Sequence, residues 1–85
     1  MSHLDNVIDI RRPVEFTIDG RVYRTSARRQ RAGDLLVLAG RDPDQYDLGE
    51  LRGRRPFPVR SGDAEIVEIH KGTRFVCLRD RIELL

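Results

Sequence analysis

The stretch Val14-Glu15-Phe16-Thr17-Ile18-Asp19-Gly20-Arg21-Val22-Tyr23-Arg24-Thr25 decides how this chain folds. Val14, Phe16 and Ile18 alternate with Glu15 and Thr17, the period-two pattern of a half-buried strand. Asp19-Gly20 supplies two consecutive residues that tolerate positive φ, as a type I′ hairpin turn requires. A two-residue turn sets Ile18 opposite Arg21, Phe16 opposite Tyr23 and Val14 opposite Thr25. One face of the predicted hairpin therefore collects Val14, Phe16, Ile18 and Tyr23. The other collects Glu15, Thr17, Val22 and Arg24.

Downstream, Ser26 to Gln30 reads as a basic connection. A helix is predicted from about Arg31 to Ala39, because Ala32, Leu35, Leu36 and Ala39 fall on one stripe at helical spacing. Gly40 suits the left-handed residue after its end, and Asp42-Pro43 prevents continuation. Gly33 costs this helix about 1 kcal/mol relative to Ala, so it depends on its packed face. Beyond Pro43 the pattern turns extended. Tyr46 to Leu51 is a strand weakened by Gly49, and Pro56 to Val59 suits only an edge, since proline donates no ladder hydrogen bond. Ser61-Gly62-Asp63 is a turn, Ala64 to Ile69 an extended segment, His70-Lys71-Gly72 a hairpin loop and Thr73 to Leu78 the last strong strand.

A hairpin, one helix and further strands make an α+β chain in which the helix covers one face of a four- to five-stranded mixed sheet. With the first and last strands parallel at its centre, the layout is that of a β-grasp. Residues 1–12 are predicted to be a flexible arm, 13–80 the domain and 81–85 a short tail.

The 85 residues carry 16 Lys+Arg against 14 Asp+Glu, a formal net charge of +2. A chain of this size forms one marginal domain. No apolar run approaches the roughly 20 residues of a membrane span, and Met1 to Arg12 lacks the pattern of a signal peptide, so a cytoplasmic location is expected. Lys71 is the one lysine; every other basic residue is Arg, the better phosphate and carboxylate ligand, although a GC-rich genome produces the same bias.

Three segments carry a family resemblance: Phe16 to Tyr23, Leu35 to Leu48 (LLVLAGRDPDQYDL) and Gly72 to Val76. In this order and at these separations they resemble the opening hairpin, helix exit and final strand entry of the prokaryotic multiubiquitin family of ubiquitin-like domains. The likeness spans residues 14–80. It implies a ubiquitin-like β-grasp from a bacterial ubiquitin-like conjugation or antiphage defence pathway. The implied partners are activating-like, conjugating-like or JAB-type peptidase proteins. One departure is notable. Such modifiers are activated at a C-terminal glycine on a flexible tail, whereas the last glycine here, Gly72, precedes the final strand. A single-copy, noncovalent interaction module is therefore expected, not conjugated through its own C-terminus.

No catalytic set stands out. Cys77 lies in an apolar strand with neither His3 nor His70 at a diagnostic spacing, so it reads as a small core hydrophobe. One Cys and two His give no metal-ligand set, and Asp42, Asp44 and Asp47 read as turn formers. No cofactor, metal or catalytic residue is predicted, and the chain is expected not to be an enzyme. If Phe75 and Cys77 face the helix, Val76 and Leu78 face outward. With Val22 they form an apolar patch rimmed by Arg24, Arg74 and Arg79. Ubiquitin-like domains are usually recognised through this face, so Val22, Arg24, Arg74, Val76 and Leu78 are the predicted partner-binding residues. The N-terminal arm (Val7, Ile8, Ile10) or the tail (Ile82, Leu84) could instead cover the patch. Two alternatives stand beside this reading. Arg28, Arg29, Arg31, Arg54 and Arg55 could serve a nucleic-acid-binding module, which lacks interleaved aromatics for base stacking. The edge strand near Phe57 could pair between copies in a self-assembling protein.

Overall fold

The computed structural model describes residues 12–79. The opening hairpin forms as its sequence dictates. β1 (Val14–Ile18) pairs antiparallel with β2 (Arg21–Thr25), in the register Ile18 to Arg21, Phe16 to Tyr23 and Val14 to Thr25. Asp19 and Gly20 take φ of 53° and 84°, the two positive values of a type I′ turn. Phe16 stacks on Tyr23 at 5.7 Å between ring centroids and meets Phe75 edge-on at 6.0 Å.

The segment after β2 departs from its sequence reading. Arg29–Arg31, expected to lie in a connection and a helix start, is a short strand, β3. Little in Arg-Gln-Arg favours a strand. What makes it one is an external partner: β6 (Ile66–Glu68) pairs antiparallel with it, Gln30 facing Val67, in a separate two-stranded sheet. The intervening loop is closed by side chains. Thr25 Oγ1 accepts from the Ala27 N–H at 3.0 Å, and Gln30 Nε2 donates to the Ala27 carbonyl at 2.8 Å.

α1 (Ala32–Leu38) is shorter than predicted, beginning one residue later and ending one earlier. Its buried stripe is Ala32, Leu35 and Leu36, with Ala39 packed beside it. Gly40, at φ 82°, ends it. The N–H groups of Gly40 and Arg41 reach back to the Val37 and Leu36 carbonyls at 2.9 and 2.8 Å, a complete Schellman motif. At the other end no side chain caps the helix. The Ala32 and Gly33 N–H groups instead donate to the Glu65 and Asp63 carbonyls at 2.8 and 2.9 Å. That contact explains Gly33: a Cβ there would stand 3.0 Å from the Asp63 carbonyl oxygen and Cβ.

The main sheet has five strands in the order β2-β1-β7-β4-β5. β7 (Arg74–Arg79) is central and runs parallel to β1, which the sequence layout anticipates. The Thr17 and Asp19 N–H groups donate to the Thr73 and Phe75 carbonyls at 3.0 and 2.9 Å. β4 (Tyr46–Leu51) lies antiparallel to β7, and β5 (Val59–Ser61) forms the far edge, just past Pro56 and Pro58. The turn at His70–Gly72 is real, with Gly72 at φ 84°, but it does not close a hairpin. Its flanking strands belong to different sheets, so it carries the chain from β6 to β7.

This is a small α+β structure, a mixed five-stranded sheet with one helix among the described residues, consistent with a β-grasp-like arrangement. The core between sheet and helix holds Phe16, Ile18, Leu48 and Phe75 from the strands, Leu35 and Leu36 from α1, and Ile69. Among the described residues no helix is long and apolar enough to cross a membrane.

Candidate functional site on the outer sheet face

Side chains alternate across a strand, so burying Phe16, Ile18, Leu48 and Phe75 commits their neighbours to the opposite face. Val22 on β2, and Arg74, Val76 and Leu78 on β7, stand on that outer face, as does Arg24. The five residues singled out from the sequence thus share one surface. Phe75 is buried and Cys77 packs against the core, which fixes the orientation of β7.

The patch differs in texture from one side to the other. Val76 and Leu78 are half-buried, whereas Val22 is 60% exposed. The partial burial comes from Gly49, which faces Val76 in the ladder. A Cβ on Gly49 would lie 2.7 Å from Leu78 Cδ1, 3.0 Å from Pro58 Cβ and 3.1 Å from Val76 Cγ2. These three side chains close over the space a glycine leaves, forming a flat apolar floor. The glycine that weakens β4 by propensity is what lets that floor form.

Charge frames it. Arg24 stands opposite Glu15, and Arg74 opposite both Thr17 and Leu51. Toward β5, Asp47 Oδ2 accepts from Arg60 Nη1 at 2.7 Å, and the same nitrogen donates to the Arg79 carbonyl at 3.3 Å. Asp47, expected to form a turn, stands instead in β4 with Arg60 as its partner. Asp42 does build a turn, its Oδ1 accepting the Asp44 N–H at 2.9 Å. Arg79, expected on the rim, belongs instead to the inner face, with its guanidinium 5.6 Å from the Tyr46 ring centroid; Arg41 lies 5.3 Å from the same ring. Beside Val22 and Arg24, a shallow groove of about 470 Å³ runs to Lys71 and Gly72. Lys71 is a residue the sequence reading did not attach to this face, because only the β6–β7 crossover brings it there.

The setting of Cys77 disfavours its thiolate. Burial pushes its thiol up to about 11, and the hydrogen bond and negative charge of Asp19 push the same way, with Arg41 opposing weakly. Asp19 Oδ1 also accepts the Cys77 N–H at 3.0 Å, tying the hairpin turn to the central strand. Among the described residues no group of three or more His, Cys, Asp or Glu side chains is placed to hold a metal. The arm and tail proposed as covers for the patch lie outside the described residues.

No family model, curated protein or solved structure matches this chain.

Proposed function

We propose that this protein is a ubiquitin-like interaction module of a bacterial ubiquitin-like conjugation or defence pathway, without enzymatic activity of its own. Its outer sheet face is the recognition surface. The observation that carries the reading is the placement of Val22, Val76 and Leu78 on the same face as Arg24 and Arg74, opposite α1, with Val76 and Leu78 beyond Arg74 along β7. The strand order, with β1 and β7 parallel at the centre, supports the ubiquitin-like part of the reading. Gly72 is held in the turn ahead of β7, its N–H donating to the Glu15 carbonyl at 2.8 Å, and freeing its carboxylate would remove the central strand.

Such a surface suits a protein partner that presents an apolar anchor with acidic neighbours. An activating-like, conjugating-like or JAB-type peptidase protein from the same host would fill that role. The test is a calorimetric titration of each purified candidate with the wild type and with Val22→Asp. Val22 is exposed, so the variant keeps its fold, checked by an unchanged melting temperature. Binding weakened about tenfold or more by Val22→Asp supports the reading. Absence of binding to all three classes contradicts it.

A further inference from the structure

The topology brings three basic loops to one end of the sheet. β2 and β4 finish where β1 and β7 begin, so the loop after β2, the β4–β5 loop and the turn before β7 lie together. Those three segments carry Arg28 and Arg29, Arg54 and Arg55, and Lys71. None of the five has a carboxylate within salt-bridge distance among the described residues. The guanidiniums that do are Arg41 with Asp19, Arg60 with Asp47 and, within this end, Arg52 with Glu50. Two grooves of about 590 Å³ each lie here: one is lined by Arg28, Arg29, Glu68 and His70, the other by Arg52 and Arg60 with Glu50, Glu65 and Glu68, and Arg54, Arg55 and Phe57 stand outside both.

A second observation says what this end fits. Phe57, two residues beyond Arg55, is 77% exposed, the most exposed large hydrophobic side chain among the described residues. It contributes nothing to the core, and Pro56 and Pro58 restrict the backbone on both sides of it. In sequence the Pro56–Val59 segment suits only an edge, where Phe57 is read for pairing between copies and not as an aromatic among the arginines. An uncovered ring beside unpaired guanidiniums is the combination that holds single-stranded nucleic acid: the ring stacks a base and the arginines take the phosphates. An acidic peptide would use the charges and leave the ring idle. A duplex keeps its bases inside and would do the same.

We infer that this end of the sheet, with Phe57 as stacking platform and Arg28, Arg29, Arg54, Arg55 and Lys71 as phosphate ligands, binds single-stranded nucleic acid. The surface borders the Val22 patch at Lys71, which also lines the groove beside Val22 and Arg24, and it does not depend on the function proposed for that patch. Fluorescence anisotropy tests it on three labelled probes: an oligothymidylate of about 20 nucleotides, its duplex with oligoadenylate, and a polyglutamate of similar length. The single strand binds tightest. Phe57→Ala weakens it about tenfold and leaves the salt dependence unchanged. Arg54→Ala with Arg55→Ala lowers the slope of log K against log salt by about 1.4. All these positions are exposed, so unchanged melting temperatures confirm folded variants. Equal or tighter binding to the duplex or polyglutamate overturns the inference. So does indifference to Phe57→Ala, or no binding at low salt.

Discussion

Gly49 shows how one residue shapes this surface. It sits in the strand next to the central one, where propensity alone argues against glycine, yet Leu78, Pro58 and Val76 occupy the space a side chain would need. Gly49→Ala should therefore destabilise the fold by about 1–3 kcal/mol, read as a lower urea midpoint with an unchanged m-value. It should also roughen the outer face and weaken any partner that docks there. Cys77 makes the opposite point, that a nucleophilic residue type can be inert by placement. With its thiol held up to about 11, modification by a disulfide reagent at pH 8 should run at least about tenfold slower than for a free cysteine. The sign of the pH effect follows. Below the ordinary thiol value of 9.0 the group is neutral in both states and its contribution to stability is complete. As pH rises from there toward 11 the unfolded chain ionises first, so that contribution is lost. The denaturation midpoint of the wild type should thus fall more steeply than that of Cys77→Ser over this window.

At the scale of elements, stability of α1 comes from its neighbours. Seven residues are too few to form a lasting helix in isolation. Its first donors rest on the Asp63 and Glu65 carbonyls, its end is closed by the Gly40 turn, and its stripe is sealed by the sheet. Gly33→Ala separates propensity from packing. Propensity alone would gain about 1 kcal/mol. The added Cβ meets the Asp63 backbone oxygen at 3.0 Å, and that carbonyl cannot retreat without releasing the Gly33 N–H. We expect net destabilisation by chemical denaturation, with loss of hydrogen-exchange protection at Ala32 and Gly33. The elements also show why part of the fold was legible in sequence and part was not. The β1–β2 hairpin carries its own instructions, since alternation and Asp-Gly are local. The Gly40 stop is local too. β3 and β6 are not. Arg29-Gln30-Arg31 becomes a strand only because Ile66–Glu68 arrives beside it, and a turn like His70–Gly72 looks the same whether it joins one sheet or two. The edge position of Phe57 was legible from its flanking prolines, whereas the exposure of its ring depends on neighbours that only the fold places.

For the whole molecule, two surfaces follow from one topology. Placing β1 and β7 in parallel at the centre puts Val76 and Leu78 at the middle of the outer face. The same arrangement brings the basic loops together at one end. That Val22, Arg24, Arg74, Val76 and Leu78 share one face was readable because strand alternation assigns faces without tertiary information. Their neighbours Gly49, Pro58 and Lys71 were not, because β4, β5 and the crossover reach the patch only through the fold. The central claim is that the outer face, opposite α1, is where a protein partner of the ubiquitin-like pathway docks. It is tested most directly by recording amide NMR spectra of this protein while titrating in the host's JAB-type peptidase, activating-like or conjugating-like protein. The account predicts that shifts and line broadening concentrate at Val22, Arg24, Arg74, Val76 and Leu78, with α1 unaffected. Perturbation confined to α1 and the β3–β6 sheet, or an unchanged spectrum with all three proteins, would contradict it.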